Sequence, residues 1–156
     1  MTIQPKDLLI DFDTTLLAGD LLFNEVSQDL ETESGIRTAV IISLFTDRRA
    51  NNDDVLPDPN STDKRGWWGD LASPDVEGDR IGSRLWLLSR EKTVETTVPK
   101  TKGYITESLE WMLDDKIAKK IDVEVERQGT PGNDILAFSV AVHMPGDSIY
   151  TYDFEV

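Results

Sequence analysis

At 156 residues the chain has room for one domain, and a domain of that length can bury roughly 70% of its unfolded surface without cross-links. It contains no cysteine and a single histidine, His143, which excludes disulfides and thiolate zinc sites and leaves nothing from which to build a histidine-rich metal centre. Thirty acidic against 16 basic residues give a formal charge of −14, which repels phosphate and argues against nucleic-acid and anionic-membrane partners.

No apolar run approaches the ~20 residues needed to span a bilayer. The opening Met1-Thr-Ile-Gln-Pro-Lys-Asp7 also lacks a basic stretch followed by an apolar one, so a soluble chain made in the cytoplasm is expected. Its partners should be proteins or neutral ligands.

In chain order, the apolar runs Leu8-Leu9-Ile10 and Leu21-Leu22-Phe23 are separated by the turn formers Asp13, Thr14, Gly19 and Asp20, which predicts short strands or extended segments. From Gly35, Ile36 to Phe45 is long enough for three helical turns, although its β-branched content would also suit a buried strand. Ser34 as an N-cap, with Glu31 and Glu33 near the positive end, favours helix. Residues 47–66 are polar almost throughout and contain Pro57 and Pro59, so a loop of about twenty residues is predicted, a length that usually serves binding or assembly. Ile81 to Leu88 follows as a short apolar segment, either helix or strand.

From about Lys100 a helix is predicted, because Ile105, Leu109, Met112 and Leu113 share one face while Glu107, Glu110 and Asp114 fall elsewhere. The period then changes from 3.6 to 2. Ile117, Lys119, Ile121, Val123 and Val125 alternate with Ala118, Lys120, Asp122, Glu124 and Glu126, then Leu136, Phe138, Val140, Val142 and Met144 fall on one side, and Tyr150, Tyr152, Phe154 and Val156 continue the alternation. Turns at Gly129 to Asn133 and at Pro145-Gly146-Asp147-Ser148 separate these runs. The expected architecture is α+β: a single domain over 1–156 with a C-terminal antiparallel β-meander packed against helices. No internal repeat or low-complexity segment is visible.

Several residues invite a catalytic reading. Leu8-Leu9-Ile10-Asp11-Phe12-Asp13-Thr14-Thr15 resembles the nucleophile motif of haloacid-dehalogenase-type phosphatases, in which the first Asp attacks phosphorus, the second is acid/base and magnesium neutralises charge. Thr14 stands where that motif usually has glycine, and the remaining acid pair, Asp114-Asp115, falls at a predicted helix end. An acidic strand end entering a turn explains Asp11 and Asp13 more simply. Asp53-Asp54 reads as loop rather than as a metal site, Glu124 and Glu126 as the solvated face of a strand, and His143 as a hydrogen-bonded structural histidine. The glycines are dispersed, with no phosphate-cradling loop.

Arg65-Gly66-Trp67-Trp68-Gly69-Asp70 is the most informative stretch, holding two of the four tryptophans between glycines and opposite charges. Each indole brings a large apolar surface and one N–H that needs a partner. The pair could fill the chain's own core, stack on sugars as in carbohydrate-binding modules, or anchor a protein interface, where Trp and Arg are enriched among hot spots.

Taken with Asp29-Leu30-Glu31, Thr38-Ala39-Val40, Ser43-Leu44-Phe45-Thr46-Asp47-Arg48-Arg49-Ala50, Gly82 to Leu88 and Leu109-Glu110-Trp111-Met112, this stretch resembles the Mu-type phage baseplate protein family over most of the chain. The strongest element is Leu-Phe-Thr-Asp-Arg-Arg-Ala followed about fifteen residues later by Arg-Gly-Trp-Trp-Gly-Asp. One departure is Asp114-Asp115-Lys116, which lacks a glycine expected at that turn.

That family is similar to the small baseplate wedge protein of T-even phages. The resemblance implies a structural component of a contractile phage or prophage-derived tail that joins the wedge to the start of the sheath, without catalysis. It implies a virion protein, oligomeric in the assembled baseplate, whose partners are other wedge proteins and sheath subunits. Exposed strand edges of the meander could pair with a neighbour's strand. Arg65, Trp67, Trp68 and Asp70 are the expected docking turn, and Arg48 and Arg49 are expected to position the preceding loop by charge. No catalytic, cofactor-binding or metal-binding residue is expected.

Overall fold

The computed structural model describes residues 7–13, 16, 18–24, 29–30, 32–33, 36–71, 80–90, 97–130 and 133–155. The N-terminal third is a set of nested antiparallel pairs. Asp7–Leu8 (β1) pairs with Thr32–Glu33 (β6), Ile10–Asp13 (β2) with Ala18–Leu21 (β3), and Phe23–Asn24 (β4) with Asp29–Leu30 (β5). The expected short strands are therefore present, and β2 rests on the first helix through a Phe12–Phe45 ring stack with centroids 3.9 Å apart. Thr38 joins the two layers, its hydroxyl donating to the Leu8 carbonyl at 2.6 Å and accepting the Ile10 N–H at 3.3 Å.

Helix α1 runs Arg37–Phe45 and buries Thr38, Val40, Ile41, Ser43 and Leu44, so helix prevails over strand in this β-branched run. Its N-cap position is Ile36, which makes no side-chain capping bond. The expected cap, Ser34, lies outside the described residues and two positions upstream of the one the helix uses; burial of the apolar face, not a cap, sets this helix.

Helix α2, Thr97–Leu109, begins earlier than the expected Lys100 and takes Pro99 into its first turn, where the missing N–H has no intrahelical acceptor in any case. A one-turn helix α3, Trp111–Asp114, continues it after a break at Glu110. Leu113 is exposed while Ile105, Leu109 and Met112 remain buried, so three of the four residues assigned to the apolar face occupy it. Lys116 then takes a left-handed conformation, φ 59°, at the turn where a glycine was expected.

The sheet is the meander that the alternation predicted. Lys120–Thr130 (β7), Asn133–His143 (β8) and Ile149–Glu155 (β9) pair antiparallel in the order β7-β8-β9, with Val123 opposite Val140 and Phe138 opposite Phe154. Ile117 falls in the turn before β7 rather than in the strand, because the Ala118 N–H closes onto the Met112 carbonyl at 2.9 Å. Val123, Phe138, Val140, Val142 and Phe154 meet Val40, Ile41, Leu44, Ile105, Leu109 and Met112 in one core. Trp111 crosses the helix layer to donate its indole N–H to Ser43 Oγ at 3.1 Å.

Candidate functional site

The site is built where α1 stops. Thr46 turns to extended backbone (φ −84°, ψ 136°), and the chain from there is clasped to the segment before the Leu85–Leu88 3-10 turn. The Ser83 N–H donates to the Thr46 carbonyl and the Arg48 N–H to the Ser83 carbonyl, both at 2.9 Å. That approach requires Gly82: its φ is +95°, and a Cβ there would lie 2.3 Å from the Thr46 carbonyl oxygen. Trp86 closes the clasp by donating its indole N–H to the Arg48 carbonyl at 2.8 Å.

The polar loop that follows satisfies much of its own backbone. Asn51 N–H donates to Asp54 at 2.7 Å, Asn60 N–H to Asp58 at 3.0 Å, Asp63 N–H to Ser61 at 3.1 Å and Arg65 N–H to Asp63 at 2.8 Å, a run of side-chain turns. Its ends are brought together by the Ala50 N–H on the Lys64 carbonyl at 2.9 Å.

Its middle is pinned by Arg84. That guanidinium donates to both Asp54 oxygens at 2.9 Å and to Glu107 of α2 at 3.0 and 2.9 Å, and it lies 4.8 Å from the Tyr104 ring centroid. Burial alone would lower the Arg84 pKa; the bonds to Asp54 and Glu107 outweigh it and raise the value. The charge is thereby locked on.

Arg65 and Gly66 reverse the chain with φ 52° and φ 107°, and Gly66 packs so closely that a Cβ would lie 2.8 Å from Arg49 Cβ. The Arg65 guanidinium bonds Asp47 at 2.8 Å and covers the Trp86 ring at 4.5 Å. Arg49 reaches back to donate to the Arg65 carbonyl at 3.2 Å. The loop is thus held by the Arg65–Asp47 and Arg84–Asp54 pairs. Arg48 holds it through its main chain and Arg49 through a bond to a carbonyl; neither forms an ion pair among the described residues.

On this base the two tryptophans face outward. Trp67 is 43% exposed and Trp68 76% exposed, which removes the pair from the chain's own core. Their centroids are 5.4 Å apart with planes 44° apart, so they offer two differently directed faces rather than one flat platform. Trp67 lies over Gly69, where a Cβ would be 2.1 Å from its ring carbons. Asp70 turns inward instead of standing at the rim. One carboxylate oxygen accepts the Ile81 N–H at 3.3 Å, and the other is buried without a hydrogen-bond partner among the described residues. A groove of about 650 Å³ lies alongside, lined by Leu44, Phe45, Leu85, Trp86 and Leu136 together with Asp47 and Arg65.

The other candidates are held by the fold. Asp11 is exposed on β2 and meets Arg37 at 3.5 Å, and Asp13 caps the hairpin turn by accepting the Leu16 N–H at 3.0 Å. Their strand belongs to an antiparallel hairpin. Asp54 is bound to Arg84, and Glu124 and Glu126 lie on the exposed sheet face. His143 Nε2 is 2.9 Å from Asp122 Oδ2, which Lys120 also contacts at 2.6 Å. The Asp122 pKa is lowered by the Lys120 bond and, to a lesser degree, by His143. Among the described residues no group of three or more His, Asp and Glu is placed to hold a metal ion, and no helix is long and apolar enough to cross a membrane.

Comparisons with known proteins fall on the same segment. Residues 36–148 match the family model for phage protein GP46, which takes in the whole clasp, loop and tryptophan turn. The baseplate protein gp46 of Escherichia phage Mu is 43% identical over 129 residues, covering 81% of this chain and 82% of that protein. The Mu-like prophage FluMu protein gp46 of Haemophilus influenzae is 32% identical over 130 residues, covering 83% of this chain and 82% of its own length. With both the family model and these two relatives spanning most of its length, the chain belongs to the phage protein GP46 family.

Proposed function

We propose that this chain is a structural component of a phage tail baseplate, and that the Trp67-Trp68 turn is one of its docking surfaces. The observation that carries the reading is the 43% identity to a protein named as a baseplate component of phage Mu. The geometry supports it: two large apolar side chains stand in solvent on a turn fixed by ion pairs, backbone clasps and a tightly approached glycine. Ordering this turn in advance lowers the entropy lost on docking, and truncating a tryptophan that is an interface hot spot costs about 2 kcal/mol or more. The finer assignment is to the wedge where a contractile sheath begins, with other wedge proteins and sheath subunits as neighbours. The chain would then be made in the host cytoplasm and reside in the virion.

The test is a Trp67→Ala/Trp68→Ala double variant. It should fold with an unchanged circular dichroism spectrum, because the exposed faces contribute little to the core, yet be depleted at least tenfold from purified tail particles. A variant that unfolds would show the indoles to be structural. One that enters particles normally would show that assembly does not use them.

A further inference from the structure

We infer that the neighbour receiving Trp67 and Trp68 is an acidic protein segment, one that sets a carboxylate against Arg49 and apolar side chains against the two indoles. The inference rests on the reading of the turn as a docking surface and names the chemistry that the surface accepts.

Arg49 is exposed at the base of the turn, its Cβ packed on Gly66, one residue before Trp67. It spends one N–H on the Arg65 carbonyl, and a guanidinium has five. No carboxylate lies within ion-pairing distance of it among the described residues, whereas Arg37 and Arg65 each have one and Arg84 has two. At the base of the turn Arg65 is thus compensated by Asp47, whereas the exposed Arg49 has no carboxylate partner among the described residues.

A neighbour seated on Trp67 strips water from Arg49 as well. A charge desolvated without a partner opposes docking strongly, so a neutral apolar segment would lose at Arg49 much of what it gains on the indoles. A carboxylate reverses that balance and can bind the guanidinium fork through two parallel N–H···O bonds. The chain's −14 charge repels an acidic partner at long range, so the attraction must be local and short-ranged. Ionic strength screens both effects and does not separate them; reversing the Arg49 charge does.

The experiment places Arg49→Lys, Arg49→Gln and Arg49→Glu, alongside Trp67→Ala/Trp68→Ala, in the particle-producing phage or prophage. Subunit content per purified tail is read against another tail protein, and the isolated variants are melted as folding controls. Arg49→Lys should assemble within about threefold of wild type and Arg49→Glu should fall at least about 30-fold, with unchanged melting. Selection for restored infectivity of the Arg49→Glu phage should yield Asp→Lys or Glu→Lys changes in a different baseplate protein. Normal assembly of Arg49→Glu with failure of the tryptophan variant overturns this inference and leaves the docking site standing. Normal assembly of both overturns both. Suppressors in this chain's own acidic residues, with self-association of the isolated protein, would make the partner a second copy and overturn the assignment to a neighbour.

Discussion

Arg84 is the side chain on which the polar loop depends most, and Arg84→Ala measures that dependence. Its side chain is 17% exposed, against 12% for Asp54 and 30% for Glu107. A fully buried pair that loses one partner costs about 3–5 kcal/mol, and an exposed one about 0–1 kcal/mol. The Asp54 arm lies near the first limit and the Glu107 arm between the two. Weighting them so gives an expected loss of about 2–3 kcal/mol, including the cation–π contact with Tyr104 at 4.8 Å. At this chain length that is a fall in melting temperature of about 4–12 °C. The raised Arg84 pKa means its contribution is fully present below the arginine value in the unfolded chain and is lost only as pH rises through the higher folded value. Neutral pH therefore reports it in full. Urea unfolding followed by tryptophan fluorescence gives the loss, and a double-mutant cycle with Asp54→Asn should return a coupling of at least about 1 kcal/mol. A loss below about 0.5 kcal/mol, or no coupling to Asp54, would refute the view that this triad pins the loop.

Other substitutions test separate parts of the structure. Gly103 is an exposed mid-helix glycine with nothing within 4 Å of an added Cβ, so Gly103→Ala should stabilise by about 0.5–1 kcal/mol in the same unfolding assay. Gly82→Ala combines a positive φ with a backbone overlap at 2.3 Å; it should cost about 3 kcal/mol or more, and amide exchange should show the Thr46–Ser83 clasp opening first. Asp122 has a lowered pKa, so its contribution is present above the unfolded aspartate value near 3.8 and is lost as pH falls through the lower folded value. Wild type should therefore be the more stable protein at neutral pH, and its advantage over Asp122→Asn should vanish in strong acid.

The parts of the fold that were legible in the sequence are those whose pattern repeats. In β9 wetter and drier residues alternate along all seven positions, and in β7 and β8 the alternation holds through 120–125 and 138–143, long enough for a period-2 signal to survive. The N-terminal pairs are mostly two residues long, too short for any period, so only their strand-like character could be read. Leu113 is exposed where the helix bonds around Glu110 shift to i−3 spacing, a local tightening that a continuous 3.6-residue count does not register. Lys116 and Arg65 hold left-handed positions without glycine; at Lys116 the glycine expected from the family resemblance marked the turn, whereas at Arg65 turn chemistry gives no sign. Within the site, Trp67 and Trp68 were conspicuous by residue type, but the Arg84 triad joins positions 54, 84 and 107, and no local spacing connects them. Asp54 drew notice only as half of an acid pair in the loop.

That division bears on how the site works. The six residues singled out from sequence do not act alike: Trp67 and Trp68 face outward, Arg49 is exposed against Gly66, and Arg65, Asp70 and the Arg48 main chain are occupied in holding the turn. In the proposed docking role a neighbour would meet two indoles whose support is complete before it arrives, since Arg65 is already neutralised by Asp47 and seated on Trp86. Fixing a backbone residue costs about 1–2 kcal/mol, so a free loop of this length would lose more on docking than two tryptophans return. Anchoring it at Asp47, Ala50, Asp54 and Lys64 moves that cost into folding, where the shared core of α1, α2 and the sheet meets it. The twenty-residue polar loop is thus better understood as a bracket than as a tether, and in the proposed docking its specificity would be left to the few groups the bracket keeps in solvent.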